Sequence, residues 1–363
     1  MSSPPRRLLI TGGAGFIGAN FVHHWRRAHP RDLIVVLDAL TYAGNRANLR
    51  GIEADERFIF VHADIRNQEL IEGELVRHAL DTVVHFAAES HVDRSITGPD
   101  AFIETNVIGT HALLKACRRV WLETNTAVAH RFHHISTDEV YGSLGAGEPA
   151  FLETTPYAPN SPYAASKAAS DHLVRAYAHT YGLNTTTTNC SNNYGSYQFP
   201  EKLIPLMIVN MLAGKALPVY GDGLNVRDWL YVEDHCVGIA RVLENGRRGE
   251  TYNIGAGAEL TNIELVRRLC AIADAAFAAD HSLSERFPAC PAAQRLQCAS
   301  LLSFVTDRLG HDRRYAIDAG KIERELSVRP TTALDLGLRT TFRWYLDNEE
   351  WWRALQGGER ARL

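Results

Sequence analysis

The chain has 363 residues, 45% of them hydrophobic and 22% charged, with a formal net charge of −4. That length predicts one large α/β domain carrying a smaller one, and the composition is typical of a folded globular protein. The basic residues are scattered and the pI is near 6.5, which argues against nucleic acid or an anionic membrane as a partner.

Targeting and metal-binding patterns are the next features to consider. The opening stretch MSSPPRRLLITGG lacks the apolar run of a secretory signal, and no run of ~18 apolar residues follows. We therefore expect a cytoplasmic protein. The six cysteines contain no C-x-x-C pair, and the sixteen histidines include no helical H-x-x-x-H pair with a nearby acid, so we expect free thiols and no metal site.

Short β-rich runs alternate with helical stretches over residues 6–135. The predicted strands are LLIT, LIVVLDA, FIFVHAD, TVVHFAA and FHHIS, and the predicted helices between them span 16–28, 45–50, 68–79 and 99–121. This alternation is typical of a doubly wound, parallel Rossmann-type α/β sheet. A helix from Tyr163 to Tyr181 and a strand at TTTTNCSN extend this half to about residue 195.

The regular alternation of strands and helices ends after Gly195. This change predicts a first domain over residues 1–195, with later segments returning to it, and a smaller, interleaved C-terminal α/β domain over 196–363. The predicted elements there are helices over 201–213 and 262–277, strands at PVYG and TYNIG, a strand running into a helix at WLYVEDHCVGIARVLEN, and a helical tail over 318–352. Residues 278–300 show no periodicity, so we expect an irregular surface segment.

The stretch LLITGGAGFIG places three glycines, each three residues apart, between a strand and a helix. Such glycines allow a tight turn, approach of the backbone to a pyrophosphate, and packing of helix on strand. Asp38 ends the second strand, where a carboxylate binds an adenosine ribose and repels a 2′-phosphate. We therefore predict NAD rather than NADP, bound here by Gly12, Gly15, Phe16, Ile17, Gly18, Asp38, Ala39, Leu40 and Thr41.

Tyr163 and Lys167 stand four residues apart on a predicted helix, so their side chains share one face. An ammonium beside a phenol stabilises the phenolate, and the pair can act as a base toward an alcohol. The Y-x-x-x-K spacing also occurs by chance on many helices. The glycine motif upstream is what favours the catalytic interpretation.

The segment HHISTDEVYG places Thr137, Asp138 and Glu139 at the carboxyl end of an apolar strand, where open α/β sheets bind their ligands. Two adjacent carboxyl groups can serve as acid and base if their surroundings split their pKa values. By itself, an Asp-Glu pair is more often a solvated turn.

Motifs spread over residues 8 to about 326 resemble the dTDP-glucose 4,6-dehydratase family, nucleotide-sugar dehydratases of the extended short-chain dehydrogenase/reductase type. They include TGGAGFIG, FAAESHVDRSI, FHHISTDEVYG, SPYAASKAASDHLVRAY, NCSNNYGSYQFPEKLIPLMI and PVYGDGLNVRDWLYVEDH. The chain departs from the family pattern at Ser196 and Leu309, where proline is usual.

The resemblance implies roles for individual residues. Thr137, Asp138, Glu139, Tyr163 and Lys167 would be catalytic. The cofactor site would also include Asp64, Ile65, Ala87, Ala88, Thr105, Tyr163, Lys167 and Asn193, although Asp64 could instead be a simple cap. The nucleotide-sugar site, mainly in residues 196–363, would include Ser90, Thr137, Asn192, Lys202, Leu203, Pro218, Val219, Tyr220, Arg227, Asn262, Asp307, His311 and Tyr315.

The resemblance further implies NAD-dependent conversion of dTDP-glucose to its 4-keto-6-deoxy derivative by a homodimer. Two alternatives stay open at this point. One is a sugar-nucleotide 4-epimerase or decarboxylase, which would not need the Asp138–Glu139 pair. The other is a non-catalytic dinucleotide-binding scaffold, which would not need Tyr163 and Lys167 together with those carboxyl groups.

Overall fold

The computed structural model describes residues 4–124 and 129–356. Its strands are β1 Arg7–Thr11, β2 Leu33–Asp38, β3 Phe58–His62, β4 Thr82–His85, β5 Arg131–Thr137, β6 Thr185–Cys190, β7 Asn192–Tyr194, β8 Leu217–Tyr220, β9 Val226–Tyr231, β10 Thr251–Ile254, β11 Glu259–Thr261 and β12 Leu302–Val305. Its α-helices are α1 Phe16–Ala28, α2 Gln68–Arg77, α3 Val92–Thr97, α4 Asp100–Phe102, α5 Thr110–Arg118, α6 Pro162–Tyr181, α7 Leu203–Leu212, α8 Val232–Asn245, α9 Asn262–Ala279, α10 Ser282–Arg286, α11 Gly320–Leu326, α12 Leu334–Asp347 and α13 Glu349–Gln356.

The main sheet has seven strands in the order β10-β6-β5-β4-β1-β2-β3, and every neighbouring pair is parallel. Apart from β10, this is the strand order of a doubly wound dinucleotide-binding fold. The predicted Rossmann-type fold is therefore confirmed. Because parallel strands share one carboxyl edge, the ends of β1, β2, β4, β5 and β6 meet on one side of the sheet.

Two small sheets lie outside the main one: β11-β9-β7, and the parallel pair β12-β8. Residues of α7, α9 and α12 share a second hydrophobic core. Residues of α8, β10 and α11 instead pack into the core beneath the main sheet. A division near residue 195, with later segments returning to the first half, stays our proposal.

Local signals explain where the functionally important helix α6 begins and ends. Ser161 precedes it, and its hydroxyl accepts a hydrogen bond from the backbone N–H of Ala164 at 3.1 Å. Pro162 occupies the first turn, where its missing N–H costs nothing, and Gly182 ends the helix in the left-handed conformation. These signals set the direction in which Tyr163 and Lys167 project.

Two predicted helices differ in form from the expectation. The stretch predicted as one α-helix over 99–121 contains a π-helical segment, Ile103–Gly109, between α4 and α5, and a second one, Arg119–Thr124, after α5. Residues 45–50 form only a short 3-10 turn, Arg46–Leu49. Apolar periodicity predicts that a segment is helical, but it cannot distinguish the α-, π- and 3-10 hydrogen-bond patterns.

The prediction of an irregular surface segment at 278–300 is wrong. The segment contains α10 and two 3-10 turns, Pro291–Gln294 and Cys298–Leu301. Its side chains Leu283, Phe287, Cys290 and Cys298 are buried in the second core. The apolar residues are spaced irregularly because the backbone turns repeatedly, so no single period could reveal them. Over residues 4–124 and 129–356, no helix has the length and apolar character needed to span a membrane.

Candidate active site

The glycine loop after β1 leaves no room for side chains. Gly12 has a φ of +69°, and a Cβ there would lie 2.5 Å from the backbone nitrogen of Ala87. A Cβ on Gly18 would lie 2.2 Å from the carbonyl oxygen of Gly12, so α1 packs directly on the turn. This close packing places the amino-terminal end of α1 at the cleft, as a pyrophosphate site requires.

Asp38 ends β2 beside that loop, with its side chain buried. Its Oδ2 accepts a hydrogen bond from the backbone N–H of Ala14 at 2.9 Å, and its Oδ1 accepts one from Leu40 at 2.8 Å. Burial raises the pKa of Asp38, and these two backbone donors oppose the rise. A carboxylate has about four acceptor positions, so Asp38 can still accept ribose hydroxyls. The loop and Asp38 together fit an NAD molecule.

A cleft of about 310 Å³ runs along the carboxyl edge of the main sheet. It brings together most of the predicted cofactor and catalytic residues, and part of the predicted sugar site. The predicted residues that line it are Gly12, Gly15, Phe16, Ile17, Gly18, Asp38, Ala39, Thr41, Asp64, Ile65, Ala87, Ala88, Ser90, Thr105, Thr137, Asp138, Glu139, Tyr163, Lys167, Asn192, Asn193 and Lys202.

Two predicted cofactor residues differ from this picture in detail. Leu40 does not line the cleft; it packs against the core beneath the main sheet, and its backbone has a φ of +49°. Asp64 does line the cleft, but its carboxylate already accepts hydrogen bonds from the side chain and backbone of Arg66. An adenine contact by Asp64 stays a prediction.

Thr137, Asp138 and Glu139 follow one another where β5 ends. The Thr137 hydroxyl donates a hydrogen bond to Oδ1 of Asp138 at 3.3 Å and accepts one from the backbone N–H of Glu139 at 3.3 Å. Asp138 is buried and Glu139 is partly buried. In the parallel register Thr137 pairs with Cys190 of β6. Thr137, Asp138 and Glu139 therefore lie where an interior strand of the main sheet ends.

The two carboxyl groups lie in different electrostatic surroundings. Burial, then the charges of Glu139 and Asp228, raise the pKa of Asp138 well above its usual value. Burial also raises the pKa of Glu139, but the cations Arg308, Arg227 and Lys202 all oppose that rise. Burial thus disfavours the charged form of both groups, and Glu139 has more cations beside it than Asp138 has.

Tyr163 and Lys167 project from α6 into the same cleft. Burial raises the pKa of Tyr163 well above its usual value, nearby Glu139 and Asp138 add to the rise, and the Thr137 hydroxyl opposes it. The effect of Lys167 on the phenol stays a prediction. The Lys167 ammonium donates a hydrogen bond to the carbonyl oxygen of Ile135 at 2.7 Å.

A second group of predicted residues surrounds Arg227, which is buried in β9. Its guanidinium lies 4.2 Å from the ring centroid of Tyr315 and donates to the carbonyl oxygen of Asp312 at 2.9 Å. Nδ1 of His311 lies 2.6 Å from Oδ1 of Asp307. Arg227 lies within electrostatic range of Asp138 and Glu139, so this group adjoins the catalytic carboxyl groups.

The remaining predicted sugar-site residues lie around the same second group rather than on the main cleft. Leu203 begins α7, and Asn262 begins α9 with a buried side-chain oxygen that lacks a hydrogen-bond partner among the described residues. Pro218 and Val219 pair in register with β12, and the Tyr220 ring lies 6.2 Å from that of His311. Contact of these residues with a sugar nucleotide stays a prediction.

Sequence analysis missed Arg308. Its Nη1 lies 3.6 Å from Oδ1 of Asp93, and its buried Nε lacks a hydrogen-bond partner within residues 4–124 and 129–356. It is also the cation that opposes the pKa rise of Glu139 most strongly. The only available signal was its place inside DRLGHD, between the predicted Asp307 and His311.

Sequence analysis also missed Asn106, which lies in the first π-helical segment. Its side chain accepts a hydrogen bond from the backbone N–H of Glu89 at 2.8 Å and donates to the Ser166 hydroxyl at 2.8 Å. Through these two hydrogen bonds Asn106, which follows Thr105, links the segment after β4 to α6. No local pattern in FIETNV indicates such a contact.

The comparisons with known proteins agree with this geometry. The family model described as GDP-mannose 4,6 dehydratase matches residues 9–341. A dTDP-glucose 4,6-dehydratase of Neisseria meningitidis is 51% identical over 97% of both chains, and one of Xanthomonas campestris is 55% identical over 96% of both. The chain belongs to the dTDP-glucose 4,6-dehydratase family.

Solved structures of the dTDP-glucose 4,6-dehydratase family have the same fold. DesIV of Streptomyces venezuelae, solved with NAD and TYD bound, superposes with a TM-score of 0.83 at 50% identity, covering 96% of this chain and 99% of the other. The Bacillus anthracis enzyme, in complex with NAD, gives 0.82 at 44% identity, with the same coverage. A UDP-glucose 4-epimerase of Thermotoga maritima superposes with a TM-score of 0.78 at 26% sequence identity. The family assigned from the motifs is therefore confirmed.

Proposed function

We propose that this protein is an NAD-dependent dTDP-glucose 4,6-dehydratase, a hydro-lyase that forms dTDP-4-keto-6-deoxyglucose and water. The observation that carries the proposal is the placement of Asp138, whose buried Oδ2 lacks a partner among the described residues, beside Glu139 in the cleft that also holds Tyr163 and Lys167. Elimination of water across C5 and C6 needs one base and one acid at neighbouring atoms. The ligands named for DesIV and the Bacillus anthracis enzyme support the same assignment.

The first step removes the proton from O4. Bound NAD supplies the oxidation at C4 and the later reduction at C6, and its positively charged ring would favour the Tyr163 phenolate. Gly12, Gly15, Gly18 and Asp38 would hold this cofactor. Tyr163 takes the O4 proton, with the Thr137 hydroxyl beside it and the Lys167 ammonium stabilising the negative charge.

The second step eliminates water. With a carbonyl at C4 the C5 proton is acidic, and Glu139 removes it. The bond from C6 to its hydroxyl oxygen breaks, and Asp138 protonates that oxygen so that it leaves as water. After reduction at C6, Glu139 returns its proton to C5. The proton gained by Tyr163 balances the proton given up by Asp138, and exchange with solvent restores both groups.

Cations beside the carboxyl groups are suited to a diphosphate. Arg227 presents a planar guanidinium from β9, and Arg308 presents a buried, unpaired Nε among the described residues. Guanidinium groups bind phosphate oxygens in bidentate geometry. The same two charges stabilise the anion of Glu139, so substrate binding and base strength are coupled: a bound diphosphate would partly neutralise them and make Glu139 a stronger base.

A 4-epimerase is the main rival, because it shares the fold and the Tyr163–Lys167 pair. An epimerase, however, has no use for a neutral acid beside a base. The geometry of Asp138 and Glu139 therefore favours dehydration.

We also infer that the enzyme is a cytoplasmic homodimer. The inference rests on the family resemblance and, for the dimer, on two exposed apolar side chains of the first π-helical segment, Ile103 and Ile108, with 47% and 52% of their surface accessible. Exposed apolar side chains such as these are suited to burial between two subunits. Light scattering of the purified protein tests the dimer.

A panel of substrates tests the activity. Purified protein is incubated with dTDP-, UDP-, GDP- and CDP-glucose, and 4-keto-6-deoxy product is measured. We expect product with dTDP-glucose and little with the others. Product from none of the four, in a protein that retains NAD, would contradict the proposal, and a C4 epimer would identify the rival.

A further inference from the structure

An acidic residue follows the catalytic lysine by one helical turn. Asp171 stands four residues after Lys167 on α6, so the two side chains share a face. Both are buried, with 6% and 5% of their surfaces accessible. Unpaired charges are costly to bury, so two such groups side by side require a reason.

Hydrogen bonds hold Asp171 as an anion. Its Oδ2 accepts one from the Ser136 hydroxyl at 2.8 Å and one from the Tyr157 hydroxyl at 2.9 Å. Its Oδ1 lies 3.1 Å from Nε2 of His134. Burial raises the pKa of Asp171 to about 6, and Lys167, Ser136 and Tyr157 oppose the rise. The group is therefore mainly a carboxylate at neutral pH.

Lys167 and Asp171 are held by consecutive residues of β5: Nζ of Lys167 donates to the carbonyl oxygen of Ile135 at 2.7 Å, and the Ser136 hydroxyl donates to Asp171. Burial lowers the pKa of Lys167, and Asp171 opposes that fall more than any other charge does. Two histidines of the neighbouring strands, His85 and His134, are neutral because burial lowers their pKa values well below the usual range. The other titratable groups near the pair are Cys190 of β6, whose thiol pKa burial raises, and His172 of α6.

We propose that Asp171 is a positioning residue: its buried carboxylate is the fixed counterion that keeps Lys167 an ammonium ion at the cleft. The inference rests on the proposed function for its catalytic meaning, because a neutral lysine could not stabilise the Tyr163 phenolate. Asp171 itself does not line the cleft. It acts on the chemistry only through Lys167.

Nuclear magnetic resonance tests the charge on Lys167 without any substrate. The chain has only five lysines, Lys115, Lys167, Lys202, Lys215 and Lys321, so protein labelled with ¹³C at lysine Cε gives few signals. The signal that is missing from the spectrum of Lys167→Arg is that of Lys167. An opposite charge within about 4–6 Å shifts a pKa by about 1 to 3 units. Among the described residues the ion-pair partner of Asp171 is His134, so Asp171→Asn should lower the Lys167 titration midpoint by the lower end of that range, about 1 unit.

Tyr157→Phe is the matched control. It removes a hydrogen bond to Asp171 but leaves the carboxylate charge in place, so the alkaline midpoint of Lys167 should stay at the wild-type value. It should, however, make Asp171 easier to protonate. In wild-type protein the Lys167 signal should show a second inflection near pH 6, and Tyr157→Phe should move that inflection to higher pH.

Kinetics provide the second readout. The alkaline limb of the kcat profile should shift to lower pH in Asp171→Asn by the same amount as the lysine midpoint, whereas a purely structural role would scale activity equally at all pH values. An unchanged Lys167 midpoint in folded Asp171→Asn overturns the proposal. Should that variant fail to fold, a wild-type signal without an inflection between pH 5 and 8 overturns it. Because the lysine signal needs no turnover, an enzyme inactive on dTDP-glucose would refute the proposed function separately.

Discussion

Thr137 hydrogen-bonds to only one oxygen of Asp138: its hydroxyl lies 3.3 Å from Oδ1. The other oxygen, Oδ2, is buried and has no hydrogen-bond partner in the part of the chain that the structure describes. A buried oxygen of this kind is costly as a carboxylate but tolerable as a protonated carboxyl group, whose O–H can be donated to a substrate. This is the arrangement expected of an acid that protonates a leaving hydroxyl.

Asp138→Asn should separate the acid from the base. The variant should still oxidise C4 but should stall before elimination, because an amide cannot protonate the departing hydroxyl. A substrate with fluoride in place of the C6 hydroxyl should restore turnover, since fluoride leaves without a proton. Fluoride release and absorbance of the reduced cofactor measure the two steps.

Glu139→Gln is the companion variant in that experiment. The fluorinated substrate should not rescue it, because the C5 proton must still be removed by a base. Equal rescue of both variants, or rescue of neither, would mean that the acid and base roles are wrongly assigned.

Tyr163→Phe should abolish the first oxidation and leave NAD bound. The phenol accepts the O4 proton, and proton transfer by a positioned group contributes about 10²- to 10⁴-fold to rate. We therefore expect kcat to fall by about that factor, with the NAD content of the purified protein unchanged. Turnover near that of the wild type would remove Tyr163 from the mechanism.

Asp38→Ala should weaken NAD retention. A hydrogen bond to a charged group is worth about 1.5–3 kcal/mol, which corresponds to roughly a 10- to 100-fold rise in the NAD dissociation constant. Glu53→Ala is the control, because Glu53 pairs with Arg46 at the surface and does not line the cleft. Equal NAD affinity in both variants, measured by calorimetry, would contradict the assignment of Asp38 to the ribose.

The sequence could predict those parts of the site whose residues are close together in the chain. The glycine loop and the Asp138–Glu139 pair lie in short segments whose chemistry and position on a strand end are both visible in the sequence. Arg308 acts on Glu139, which is distant in the chain, and Asp171 is held by a hydrogen bond from Ser136 on another element. Only the packed structure brings such partners together, so their roles could not be predicted.

The fold shows the same limit. Continuous apolar runs predicted β1, β2 and β4, whose residues are almost all buried. The 278–300 segment was misinterpreted since its buried side chains, such as Phe287 and Cys298, follow no single helical or strand period. The π-helical segments escaped prediction because apolar periodicity does not distinguish π-helical from α-helical hydrogen bonding.

Phe287→Ala should destabilise the protein although it lies in the segment predicted to be superficial. Removing a buried phenylalanine side chain costs about 3–5 kcal/mol, whereas Leu296→Ala in the same segment should change stability by less than about 0.5 kcal/mol, because Leu296 is 58% exposed. Urea denaturation compares the two variants. Equal midpoints would show that the segment does not contribute to the second core.

The most direct test of the account follows one hydrogen atom. dTDP-glucose carrying deuterium at C4 is incubated with the wild-type enzyme in ordinary water, and the product is analysed by NMR and mass spectrometry. A dehydratase that oxidises C4 and reduces C6 in one active site should deliver the deuterium to C6 of a 4-keto-6-deoxy sugar. Deuterium found at C4 of an epimerised sugar, or lost to solvent, would contradict the account.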